Sequence, residues 1–482
     1  MKKTIYCALP ALLLFAASCT SPKPPGDKDT LTDAGVHNQI PANCFCADTT
    51  TTDSLCREIP HEVAFTPQQG YHSVLSPQFQ GFFDEFSWQS FVAFNWPSTR
   101  TGTPVGSFFS GGDSMRVWET YQDPGEVFYT YTGKLGLAAA TAKKKGRKFF
   151  YMTSKISPDQ LNGSAVTMFD GYALIDRNLN FSLYEEKINP DEVNYINTNN
   201  LHTLSNIIAY GNQHNKQLTL PAGFYTDPVH ASGGQVGAAE IKAVWRILDP
   251  SKGDDPSRFY TQQADIYVPA GNSATGAAFT ITDVTVGLVA MHIIHNTQKF
   301  SSEIWSTFVH DDNNPDSAQY ANKNFGSTVY SYFDPAAQAI PVNKPIKAAN
   351  NTYKWAPQAP YAAAYFDTIP GTPGGPHYGN QVYEVKAPYI TTVAANTKWK
   401  AKLAAGNSVW SHYRLLGTQW FIGNSDTPGG SSDPAPPVLG NPTLETFIQS
   451  KSNCIGCHQG ASVNIGTDTV TTDFSFLFGH AK

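Results

Sequence analysis

Between about Arg147 and Ile422 the chain is written as short runs rich in β-branched and aromatic residues, each closed off by Gly, Pro, Asn or Asp. That punctuation constrains the fold more than any other feature, because runs of this length suit strands and are too short for amphipathic helices. The candidate strands are Lys148 to Ser154, Gly171 to Asp176, Phe181 to Lys187, Ala239 to Leu248, Phe259 to Val268, Val284 to His295, Ile304 to His310 and Tyr413 to Ile422. In Glu240 to Ile247 the alternation is explicit. Ile241, Ala243, Trp245 and Ile247 fall on one face and Glu240, Lys242, Val244 and Arg246 on the other. Many strands with loop punctuation imply a sandwich or barrel. The expected fold class is therefore mainly β with some α, a large β-rich body over 61–422 followed by a short helical C-terminal segment over 443–482. Charged residues at 15% and aromatics at 13%, with 38 Gly and 33 Pro, fit a loop-heavy β protein better than a helical bundle. One helix is predicted over Gln78 to Asn95, where Phe79, Phe82, Phe83 and Phe86 recur at i, i+3, i+4 and i+7 before Pro97. Such a stripe is ordinarily core.

The ends of the chain speak to compartment. Met1-Lys2-Lys3 followed by the apolar stretch Ile5 to Ala17 reads as a secretory signal peptide, and no later run of eighteen apolar residues follows. Ala16-Ala17-Ser18-Cys19 reads as a lipobox, so residues 1–19 are expected to be a lipoprotein signal peptide with lipid on Cys19. Residues 20–60, which carry Ser-Pro-Lys-Pro-Pro-Gly near their start, are expected to form a tether that spaces the body from a membrane. The net charge of −6 is mild for 482 residues and offers no footprint for nucleic acid.

Seven cysteines divide into separate tasks. Cys7 lies in the signal peptide and Cys19 at the lipobox. Export permits disulfides, so one bridge from Cys44 or Cys46 to Cys56 is expected; a three-thiolate metal site is the alternative. Cys454-Ile455-Gly456-Cys457-His458 matches the pattern for covalent attachment of a c-type haem. Two thiols three residues apart reach the two vinyl groups of one macrocycle, and the next residue turns an imidazole to the iron. With seven Cys and 13 His in the chain, about 0.003 occurrences are expected by chance, so chance is a poor explanation. A zinc half-site or a redox Cys-x-x-Cys pair would want a second ligand pair or a thioredoxin-like setting, and the sequence shows neither. Haem c, with iron bound proximally by His458, is the expected cofactor.

Only 24 residues follow His458 and none is Met; the last methionine is Met291. The second axial position must then be closed by the upstream body, closed by His480, or left open. The richest upstream cluster is Met291, His292, His295 and His310, next to Trp305. In a strand His292 and His295 point to opposite faces, so at most one of them reaches the same iron. His292 is the first choice for a distal role and His295 the second; core histidines and a separate metal site are the competing readings. Before the motif, Gly423 to Pro442 reads as a loop, after which Asn441 as N-cap, Pro442 at the first position and the apolar Leu444, Phe447 and Ile448 predict a short helix.

The segments SWQSFVAFNWP, EIKAVWRIL, HIIHNT, WSTFVHDDN, YRLLGTQWF, TLETFIQSKSNCIGCH and DFSFLFG together resemble a group of large exported bacterial cytochrome c family proteins. The likeness covers most of the chain from Phe79 onward. It implies haem c and electron transfer, and it carries roles to Cys454, Cys457 and His458 alone. The expected function is electron transfer in the cell envelope to a redox partner protein, with the chain held at the membrane by the lipid. The alternative is a haem-dependent oxidoreductase of peroxidase or oxygenase type whose β-rich body binds a small-molecule substrate; a non-catalytic sensor fits the same residues less specifically.

Overall fold

The computed structural model describes residues 55–63, 77–110, 114–129, 133–151, 172–228, 232–337, 339–346, 353–362, 367–368, 377–421 and 436–482. The expected signal peptide, Cys19, Cys44 and Cys46 lie outside the described residues, as do 422–435 of the expected loop and the Phe79 side chain. The strands are β1 (Lys148–Tyr151), β2 (Leu183–Ile188), β3 (Ala239–Ile247), β4 (Thr261–Val268), β5 (Phe279–Thr297), β6 (Phe300–His310), β7 (Asp367–Thr368), β8 (His377–Tyr378), β9 (Tyr413–Gln419), β10 (Ser462–Ile465) and β11 (Asp468–Thr471). Among the described residues the α-helices are α1 (Pro77–Phe94), α2 (Pro124–Val127), α3 (Gly133–Lys144), α4 (Pro190–Thr198), α5 (Leu204–Gln213), α6 (Ser317–Ala321), α7 (Ile390–Ala405) and α8 (Cys454–His458).

Seven strands form one sheet in the order β1-β4-β5-β3-β2, with β6 added to β5 and β9 to β6. β1 and β4 run parallel and every other pair is antiparallel. The 19-residue β5 is the spine. β3 lines one of its edges. The opposite edge is shared: Gly287 pairs with Thr261 of β4, whereas Ala290 pairs with Val309 of β6. The sheet therefore forks between Leu288 and Ala290, and backbone groups at a fork lose their ladder partners. Side chains supply them. The Tyr413 hydroxyl donates to the Leu288 carbonyl at 2.8 Å and accepts from the Tyr260 N–H at 3.0 Å. Asn313 Nδ2 donates to the Val289 carbonyl at 2.7 Å.

On one arm of the fork the sheet curls until its edges β1 and β2 meet, giving a nearly closed, barrel-like body. Lys148 of β1 reaches Glu185 of β2 at 2.9 Å and Glu119 at 2.9 Å. Its ammonium lies 4.7 Å from the Trp118 ring centroid and 4.6 Å from that of Trp245. Burial alone would lower the Lys148 pKa, but the Glu119 and Glu185 charges outweigh it and raise the group. Around this pair the enclosed core holds Phe150, Ile241, Trp245, Ile266, Val286 and Leu288, each full burial contributing about 1.5–3 kcal/mol. The other arm, β6 and β9, lies against α1. Phe83 stacks on Trp420 at 4.1 Å and Phe91 on Phe308 at 4.2 Å.

The β-rich body is present, but helices take a larger share than expected and the fold is mixed α/β. α7 shows why: its buried positions Thr392, Asn396, Trp399 and Leu403 sit on one face, and two of the four are polar, so no apolar stripe marks it. Asn396 is committed to Leu415 of β9 and to the Trp88 indole. Gly171 to Asp176 makes no strand; among its described residues it has one bridge, Ile175 to Phe181. The Asp176 carboxylate accepts from the Asn178 and Asn180 N–H groups and turns the backbone there. The helix predicted after Asn441 is a series of turns instead. Asn441 Oδ1 accepts from Thr443 N–H as a cap would, but Nδ2 is held by Thr307 and Phe308 of β6.

Tyr413→Phe removes the hydroxyl that serves both branches of the fork. Two buried backbone groups then lose their partner, at about 1–3 kcal/mol each. Urea unfolding is expected to show a loss of about 2–6 kcal/mol without a change in the slope against denaturant.

Candidate haem-attachment site

The sheet face away from the enclosed core is where the C-terminal segment packs. Strand register lines up Ile188, Glu240, Ile294, Trp305 and Gln419 as one row across β2, β3, β5, β6 and β9. The adjoining row is Glu186, Lys242, His292, Thr307 and Gly417. Over the first row sits α8. Gln419 Oε1 accepts from the Ile455 N–H at 2.9 Å, and Ile455 is buried with Ile294, Trp305 and Phe474. The ring of His458 lies 4.3 Å from that of Trp305 and 4.9 Å from that of Phe476.

Local chemistry explains how five residues hold a helical turn. Asn453 is its N-cap, with Oδ1 accepting from the Gly456 N–H at 2.7 Å. A Cβ at Gly456 would come within 2.7 Å of Asn453 Nδ2, so the second spacer of Cys-x-x-Cys must be glycine for the cap to close. The turn places Cys454 and Cys457 one helical step apart, both half-buried and neither in a disulfide. His458 Nδ1 donates to the Phe474 carbonyl at 2.8 Å. That bond fixes the proton on Nδ1 and the ring lone pair on Nε2, the arrangement in which a ligating histidine is oriented and made more basic by a carbonyl. The segment after α8 returns by the β10–β11 hairpin, and Leu218 N–H donates to the Thr471 carbonyl at 2.9 Å.

The upstream histidines separate. His292 is on the covered face, where its Nε2 meets Glu445 Oε1 at 3.2 Å; Glu445 Oε2 accepts from the Asn441 N–H. His295 belongs to the other side of the sheet, against Phe86 and Phe94 of α1, with Nε2 donating to the Val236 carbonyl at 2.6 Å. Burial pushes it down to about 4. His310 stacks on Phe259 at 4.0 Å, donates from Nε2 to the Arg258 carbonyl and accepts at Nδ1 from Asp312 N–H, and burial pushes it to about 4 also. Met291 is in the enclosed core. His480 approaches Glu186 at 3.5 Å and packs on Phe128. Among the described residues no three His, Cys, Asp or Glu side chains converge as a metal cage. A haem brings its own four nitrogens and asks the chain for one imidazole and two thiols, which α8 presents. Cys56 is disulfide-bonded.

Sequence reading missed Gln419, Asn453 and the Phe474 carbonyl, because their roles arise from register and backbone rather than from residue type. Asn453, directly before the motif, was open to recognition as an N-cap. No protein-family model matches the chain, and no curated protein or solved structure matches it.

Asn453→Ala takes the acceptor from the Gly456 N–H. The loss of a cap costs about 1 kcal/mol, so native-state hydrogen exchange at the Gly456 amide is expected to speed up about fivefold.

Proposed function

We propose that this chain is an exported c-type cytochrome that passes single electrons in the cell envelope, with haem c bound covalently through Cys454 and Cys457 and His458 as proximal ligand. The observation that carries this reading is the hydrogen bond from His458 Nδ1 to the Phe474 carbonyl at 2.8 Å, beside two half-buried thiols on the same turn. Bound haem supplies a one-electron couple at its iron. The chain's residues orient and insulate it: Asn453 sets the turn, Gln419 fastens the turn to β9, and Trp305 and Phe476 fix the His458 ring plane. The likeness to exported bacterial cytochrome c proteins supports the same reading, and so does the Cys56 disulfide, a bond that persists in oxidising compartments. Cys19 carries the lipid and holds the protein to a membrane.

The alternative, a haem enzyme whose body binds substrate, draws less support. The strand-enclosed interior of the described residues is filled by Trp118, Phe150, Trp245, Tyr260 and Leu288, so the body acts as a platform for the C-terminal segment. His292 serves that platform by holding Glu445.

Cys454→Ala with Cys457→Ala is expected to abolish haem that survives a denaturing gel while circular dichroism of the body is unchanged; covalent haem persisting in the double variant would contradict the assignment. His292→Ala is expected to leave the ferric spin state unchanged and to cost about 1–3 kcal/mol through the partner it deserts. A low-spin to high-spin change on that substitution would instead assign His292 to the distal position.

A further inference from the structure

Next to the His458 site lies a group of carboxylates that the electron-transfer reading does not use. Glu240 adjoins Ile294 across β3 and β5, and Ile294 adjoins Trp305, whose ring faces His458. Glu303 is two residues before Trp305 on β6, 2% exposed and with a left-handed φ of 62°, a backbone state that costs a non-glycine residue energy. Asp473 precedes Phe474, the residue whose carbonyl holds His458. Glu192 is in the first turn of α4; its N-cap Asn189 is tied to Ala239 through both backbone and side chain, which brings Glu192 to Glu240.

Glu192 and Glu303 are buried and Glu240 and Asp473 half-buried, with few of the partners that ionised carboxylates need: Asp473 has the Leu220 N–H and Glu240 has Ser475. Glu192 is 0% exposed, and neither of its carboxylate oxygens has a hydrogen-bond partner among the described residues; the same holds for Glu240 Oε1 and Glu303 Oε2. No Lys, Arg or His pairs with Glu192, Glu303 or Asp473 among the described residues. The cations nearby serve other anions: Lys242, which faces Glu240, pairs with Glu186, and His480 also approaches Glu186. Asp191, beside Glu192, accepts from the Gly237 N–H, and His292 pairs with Glu445. Within the cluster, Asp473 accepts from the Leu220 N–H at 2.6 Å, and Asn296 donates to the Leu220 carbonyl. Asn296 Oδ1 is a buried acceptor with no donor, the counterpart that a carboxylic O–H requires. Glu192 and Glu303 lie within electrostatic reach of Glu240 and Asp473, and carboxylates this short of hydrogen-bond donors resist ionising together. Burial pushes Glu240 up to about 7 and Asp473 up to about 6; burial, then the charges of their cluster neighbours, raise Glu192 and Glu303 as well.

We propose that Glu192, Glu240, Glu303 and Asp473 form a proton-binding site coupled to the redox state of the Cys454–His458 centre. The inference rests on the haem reading above. An external one-electron donor adds one negative charge to the centre, and the cluster takes one proton from water on to a carboxylate, forming a carboxylic O–H; oxidation returns both. Because the added electron raises the proton affinity of nearby carboxylates, the potential falls as pH rises through the range in which the cluster titrates.

The test is a spectroelectrochemical titration of the full-length haem-loaded protein between about pH 5 and 8. Reduction is expected to raise the cluster's proton affinity about tenfold, which is a fall in potential of about 59 mV across the transition. Glu303→Gln and Glu192→Gln, near-isosteric mimics of the protonated acid, are expected to cut that fall by half or more. In the reduced-minus-oxidised infrared difference spectrum a carboxylic C=O band that shifts in heavy water is expected in the parent chain and lost in the variants. A potential independent of pH, or the same fall and band in both variants, overturns the proposal. The infrared pH titration is also run on the haem-free Cys454→Ala, Cys457→Ala chain, where protonated carboxyl bands are expected at pH 7. Their absence there overturns the proton site itself, whereas a parent chain that carries no haem overturns the haem reading.

Discussion

The fork in β5 at Leu288 is the constraint on which the remaining architecture depends. One strand cannot serve β4 and β6 on the same edge unless something caps the backbone where they part. Tyr413, the first residue of β9, does this with a single hydroxyl that donates to the Leu288 carbonyl and accepts from the Tyr260 N–H. The consequence is two surfaces from one sheet. The β4 arm curls on itself around Trp245 and the Lys148–Glu185 pair. The β6–β9 arm stays open and presents Trp305 and Gln419, the two side chains that receive the Cys454–His458 turn.

That division also decides which histidines can matter. Alternation along β5 sends Met291 and Ile293 to the enclosed core and His292 and Ile294 to the covered face. His295 falls with the former set, against α1. The separation of His292 and His295 was legible from a period of two as soon as a strand was assumed. What residue types could not show was the occupant of each side. Glu445 meets His292 from 153 positions away, and no local pattern marks such a pairing.

The strands were legible where alternation was clean, as in Glu240 to Ile247, and where β-branched runs were long, as in β5. They were illegible where a side chain takes over the backbone's hydrogen bonding, as Asp176 does. Helices were legible when their buried face was aromatic, as in α1, and hidden when it was Thr and Asn, as in α7. The Cys454–His458 turn follows the same logic. Its thiols and imidazole stand in the sequence, while the carbonyl that orients the imidazole comes from Phe474, sixteen residues later, through the return of the β10–β11 hairpin.

The proposed function requires two thioether bonds, from Cys454 and Cys457, at one turn of helix. The most direct test is peptide mass analysis, under denaturing conditions, of the full chain made in a host that exports it and attaches haem. The account predicts that the peptide containing Cys454 to His458 carries one haem through both cysteines. Recovery of that peptide with both thiols unmodified would contradict it.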